Sequence, residues 1–157
     1  MRTILQTKIL NPYRHRIPKW YNAHTGIDLD YKYEELLSPI TGKVVALTHQ
    51  VQMGNCLYLE DHVTGDIHVF AHLKEFRKNV GDQVVRNDIL AITGNTGTIT
   101  SGPHLHYEII TKSPVNKIDY LMRRKLLGFK GFNTDPSIYI KKRWHQYNIG
   151  IDGNVLK

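Results

Sequence analysis

Short apolar runs separated by turn residues fill the middle of the chain. GKVVALTHQ (42–50), NCLYLEDH (55–62), DIHVFAHL (66–73), DQVV (82–85), DILAITG (88–94) and HLHYEII (104–110) are rich in Val, Ile, Leu and Tyr. Between them stand Gly54, Thr64-Gly65, Asn79 with Gly81, and Gly94-Asn95-Thr96-Gly97. Runs of this kind between such breaks predict β-strands. The gaps are too short for parallel crossovers, which take about a dozen residues or more, so neighbouring strands are expected to pair antiparallel. Residues 1–23 are polar and irregular, with Pro12 and Pro18, and predict an arm wrapping the domain.

The period changes at 116–128. In NKIDYLMRRKLLG, Ile118, Leu121, Met122 and Leu126 share a helical stripe, with Asn116 as a candidate N-cap and Gly128 as a stop. A short basic amphipathic helix is expected there, then a closing strand at DPSIYI (135–140) and a tail over 144–157. The predicted fold class is mainly β, an antiparallel sheet or sandwich with a short basic helix near the C-terminus. One domain spans 1–157: an arm (1–23), a core (24–111), a basic segment (112–143) and the tail.

The chain has 157 residues, enough for one domain with a proper core. Its longest apolar runs are only a few residues, so no transmembrane helix is expected. MRTILQTKIL lacks the apolar stretch of a secretory signal. A single cysteine, Cys56, excludes an internal disulfide framework and reads as buried filler. The net charge of +7 is local: Lys112 to Arg143 holds nine Lys/Arg against Asp119 and Asp135, while the rest is balanced. Such a stretch suggests an anionic partner or a solvated face.

Candidate chemistry lies in His24 and Asp28 (AHTGIDLD), His72 (HVFAHLKE), and His104 and His106 (SGPHLHYE). Imidazole and carboxylate are the ligands of catalytic zinc sites, where three protein groups leave one position for water. In extended chain, side chains two or four apart share a face. His24 with Asp28, and His104 with His106, therefore form two ligand pairs, and His72 supplies a third segment to one cleft. Gly26 permits close backbone approach between the first pair. Gly102-Pro103 stiffens the entry to the second, and Leu105 is expected to face the core. His68 shares strand parity with His72 and is a further candidate for the cleft. His15, His49, His62 and His145 have no ligand-like partner and are expected at the surface.

AHTGIDL, FAHL and GNTGTITSGPHLHYE, with GKVVAL, VGDQV and ILAITGNTG between them, resemble the signatures of the lysostaphin/LytM-type zinc metallopeptidases over roughly residues 10–111. That resemblance implies the lysostaphin-type β fold, one Zn2+ per chain and bacterial peptidoglycan as substrate. By position it implies His24, Asp28 and His106 as metal ligands, with His72 and His104 as the catalytic histidines beside them. It also implies an oxyanion-stabilising Tyr or Arg upstream, for which Arg14, Arg16 and Tyr21 are candidates. Phe70 stands where the family commonly has Tyr, and 113–132 is longer than the family's usual link.

The function this implies is a zinc endopeptidase cutting peptide stems or cross-bridges of the cell wall. The alternative is a non-catalytic wall-binding or hydrolase-activating module of the same fold. The basic stretch alone suggests nucleic acid, without a recognised motif. Residues 112–143 are expected to meet an anionic wall polymer or a phage tail protein. Action outside the membrane without a visible export signal favours a phage lysin or virion enzyme over a processed secreted protein.

Overall fold

The computed structural model describes residues 3–13, 24–113 and 122–139. Among them eleven strands form one antiparallel sheet: β1 (Ile9–Asn11), β2 (Ile27–Leu29), β3 (Glu35–Leu37), β4 (Gly42–Gln50), β5 (Gly54–Asp61), β6 (Ile67–Phe76), β7 (Gln83–Val84), β8 (Ile89–Thr93), β9 (Leu105–Thr111), β10 (Arg123–Leu126) and β11 (Phe129–Thr134). The main path runs β1-β2-β9-β6-β5-β4-β7. The six runs read from the sequence are β4 to β9. β1 falls inside the segment expected to be an irregular arm, and β3 was not foreseen.

β9 is the centre of the arrangement, buried along its whole length. One side pairs with β6; the other pairs with β2 near its start and β11 near its end. Alternation divides its side chains between two faces. Leu105, Tyr107 and Ile109 join Leu57, Leu59 and Phe70 in the main core, where the Phe70 and Tyr107 rings stack at 4.8 Å and 8°. Ile110 faces the other way with Cys56, Tyr58, Ile67, Val69 and Ala71. His106 and Glu108 lie on this second face, because they pair in register with Ala71 and Val69.

The C-terminal expectation is corrected in its order. A short helix is present, but at residues 136–139, after the closing strand rather than before it. Of the helix expected over 116–128, residues 116–121 lie outside the described residues, and Arg123–Leu126 is strand β10, not helix. The apolar positions Met122 and Leu126 are four apart, a spacing that helix and strand both satisfy. The turn decides between them: Leu127 and Gly128 both take positive φ, 53° and 87°, the backbone of a two-residue hairpin turn. The closing strand is β11, not 135–140. Asp135 caps the helix instead: its Oδ1 accepts from the Ser137 amide at 3.0 Å, and Pro136 suits the first helical position.

Candidate active site

The histidines and the aspartate picked out by spacing converge on one place. Asp28 and His106 are cross-strand partners on β2 and β9. His24 folds back over them from the segment before β2. Its Nε2 lies 3.3 Å from His106 Nδ1 and 3.3 Å from Asp28 Oδ1, and His106 Nδ1 lies 3.1 Å from that same oxygen. These three donor atoms could hold a metal ion. Their spacings match the edge, about 3.3 Å, of a tetrahedron with bonds of about 2.0–2.1 Å. Gly26 makes the approach possible, since a Cβ there would stand 2.2 Å from the Tyr107 carbonyl oxygen.

The nitrogens facing the cluster are fixed by what the opposite nitrogens do. His24 Nδ1–H donates to the Pro12 carbonyl at 3.0 Å, leaving Nε2 as the lone pair. His106 Nε2–H donates to Glu108 Oε1 at 3.1 Å, leaving Nδ1. The second Asp28 oxygen accepts from Asn11 Nδ2 on β1. Burial alone would raise the Asp28 carboxyl, but the two histidines outweigh it and hold it far below the usual carboxylate range. At His106 burial disfavours charge, yet Asp28 and Glu108 win and push it up to about 9. A pocket that attracts a proton this strongly is electrostatically built for a cation.

His72 and His104 stand beside the cluster with ring centroids 4.8 Å apart. His72 Nδ1–H donates to the Thr96 carbonyl at 2.7 Å and His104 Nδ1–H to the Gly102 carbonyl at 2.8 Å. Carbonyls only accept, so both rings keep Nε2 unprotonated when neutral. His104 Nε2 lies 3.6 Å from Asp28 Oδ1. Burial drives the His72 pKa down to about 4, so this ring is neutral at pH 7. An open groove of 530 Å³ reaches the site, walled by Leu10, Lys32, Ile99 and Pro103 and ending on Asp28 and His104.

His68 does not join them. It lies on the opposite face of β6, fully buried, with Nδ1 2.7 Å from the Tyr107 hydroxyl. Parity fails because His72 adopts φ 61°, and Leu73 takes the core position that alternation assigned to His72. Phe70 packs in the main core as a ring without a hydroxyl should. His49 and His62 are exposed as expected. Arg14, His15, Arg16, Tyr21 and His145 lie outside the described residues. Sequence reasoning missed Glu108, Asn11, Arg124 and Asn133. Only Glu108 carried a signal, two residues after His106 on the same strand face.

Residues 22–117 match the family model described as Peptidase family M23. The peptidoglycan DD-endopeptidase ShyA of Vibrio cholerae is 31% identical over 104 residues, 65% of this chain and 24% of that protein. A zinc-containing peptidase from Vibrio cholerae superimposes with a TM-score of 0.58 at 26% identity, over 65% of this chain and 32% of that one. The catalytic domain of lysostaphin from Staphylococcus simulans gives 0.68 at 21% identity, over 88% of this chain and 95% of that one. The chain spans less than a third of the length of the curated relatives it matches.

Proposed function

The chain belongs to peptidase family M23, and from that premise we propose that it is a zinc-dependent endopeptidase hydrolysing stem peptides or cross-bridges of bacterial peptidoglycan. The observation that carries this reading is the convergence of His24 Nε2, Asp28 Oδ1 and His106 Nδ1 within 3.3 Å of one another, beside two further histidines, at the end of a groove. These three residues would be the metal ligands. Two nitrogens and one carboxylate oxygen are a donor set of catalytic zinc sites. The likeness to a peptidoglycan endopeptidase and to a zinc-containing peptidase points the same way.

Zinc bound there would polarise a substrate carbonyl and lower the pKa of a coordinated water from about 15.7 to about 7. The remaining work falls to the chain. His72 is neutral at pH 7, and its Nε2 is free to accept the proton of the attacking water. His104, anchored through Nδ1 and with Nε2 3.6 Å from Asp28 Oδ1, would donate to the oxyanion or the leaving amine once Nε2 has taken up a proton. Together they supply the base and acid functions that a peptide bond requires. The groove walls combine the apolar Leu10 and Ile99 with the charged Lys32 and Asp28, a mixed lining that can meet both side chains and polar groups of an extended peptide.

The outward face of the β10–β11 hairpin would meet an anionic wall polymer. Arg123, Lys125 and Lys130 are exposed there, and Lys125 lies directly opposite Lys130. A like-charge cross-strand pair costs stability until an anion covers it.

The test is digestion of purified walls of several chemotypes, with mass spectrometry of the released peptides. New amine termini should appear, vanish on chelation and return with zinc. About one zinc per chain is expected in the native protein, and His24→Ala, Asp28→Ala and His106→Ala should each lower it. Full metal occupancy in His106→Ala would overturn the ligand set; no cleavage of any wall by the zinc-loaded protein would overturn the activity.

A further inference from the structure

Glu108 is a carboxylate with no exposure to solvent and five hydrogen-bond donors around it. His106 Nε2–H approaches at 3.1 Å, Arg124 Nε at 2.9 Å and Nη2 at 3.1 Å, Asn133 Nδ2 at 3.0 Å and Thr25 Oγ1 at 3.3 Å. Every partner donates, which requires Glu108 to be ionised. Arg124 grips both its oxygens in a fork, the strongest geometry available to such a pair. Arg124 and Asn133 sit on β10 and β11, outside the 22–117 span that matches the family model.

We propose that Arg124 and Glu108 form a positioning relay for the metal ligand His106, so that the β10–β11 hairpin is a working part of the metal centre. The inference rests on the metal-site reading above and deepens it. The chain of causes is short. Arg124 balances a charge that burial would otherwise forbid. The balanced carboxylate then holds Nε2–H of His106, which fixes the ring orientation and leaves Nδ1 toward His24 and Asp28. Without Arg124 the carboxylate loses two of its five donors and the fork that fixes its orientation, and the ring is no longer held. Outer-shell partners of this kind change metal affinity by about 10–100-fold. The three basic residues of β10 therefore divide: Arg124 works inward, and Arg123 and Lys125 face solvent.

The experiment uses full-length protein and zinc ion, titrated against a competing chelator, with NMR observation of the His106 Nε2–H proton. Arg124→Gln and Glu108→Gln are expected to bind zinc about 10–100-fold more weakly. Arg124→Lys, which keeps the charge and loses the fork, should fall between them and the wild type. The Nε2–H signal, protected from exchange in the wild type, should be lost in Arg124→Gln. A hairpin that merely stabilises the fold would leave that signal in place. Wild-type affinity and a protected signal in Arg124→Gln would overturn the relay while the zinc site stands. If the wild type binds no zinc, the metal-site reading fails, and the Nε2–H signal of the metal-free proteins decides the relay alone. Should Arg124→Gln not fold, Arg124→Lys decides it, and zinc affinity equal to wild type would overturn the proposal.

Discussion

At His72 the backbone does what strand alternation forbids. A left-handed residue, φ 61°, lets two successive side chains leave β6 for useful places: His72 to the site and Leu73 to the core. Such a conformation costs about 1–3 kcal/mol in a residue with a side chain, and asparagine and histidine tolerate it best. Replacing His72 with Val should therefore destabilise the protein by about 1–3 kcal/mol more than replacing it with Asn. Denaturant titration of the two variants checks this, and equal stabilities would contradict it. For chemistry, His72→Ala and His104→Ala should keep their metal and lose wall hydrolysis by about 10²–10⁴-fold. Parallel metal analysis separates that outcome from damage to the ligand set.

At the scale of elements, the hairpin presents two different faces, with Arg124 turned inward to Glu108 and Arg123 and Lys125 turned to solvent. Arg123→Gln with Lys125→Gln should weaken attachment to whole walls and flatten its salt dependence, because exposed charges are screened within about 8 Å at physiological ionic strength. Cleavage of a small soluble peptide should barely change. Equal losses on both substrates would assign the hairpin to the fold instead. Arg124 must be left intact in this test, since it binds Glu108. That separation was illegible in the sequence, where Arg123, Arg124 and Lys125 form one basic run on an apparent helix. The apolar spacing at 122 and 126 did not discriminate, and a turn of two positive-φ residues without the Asn-Gly signature settled it. By contrast β4 to β9 were legible, because turn residues bounded each run. That His24, Asp28, His72, His104 and His106 could line one cleft was readable from residue type and spacing, whereas the choice of His24, Asp28 and His106 as ligands came from the family resemblance. Glu108's partners were not, because Arg124 and Asn133 reach it from 16 and 25 residues away across a sheet.

For the whole molecule, the second face of the sheet is a continuous buried strip from the site to Cys56 and Tyr58. Burial pushes the Cys56 thiol up to about 12 from 9.0 and the Tyr58 hydroxyl up to about 12 from 10.0. In the unfolded chain both ionise earlier, so the unfolded state loses protons first as pH rises. The stability these groups contribute is complete below pH 9 and is lost as pH climbs toward 12. Cys56→Ala should thus lower stability at pH 7 through the lost packing, yet show a shallower decline above pH 9. Denaturation midpoints at pH 7, 9 and 11 test it; parallel curves for the variant and the wild type would refute it.

The three-residue strand β2 has a kinetic consequence. Asp28 rides on it and His24 precedes it, whereas His106 belongs to β9, enclosed on both sides. An ion held between them can escape most easily when β2 lifts away from β9, with β1 attached. Release would then be gated by a local opening rather than by ligand exchange. Amide hydrogens of Ile27–Leu29 should exchange markedly more slowly once zinc is added, while those on the β6 side of β9 should hardly respond. Uniform slowing across both strands would mean that the ion is freed only by global unfolding.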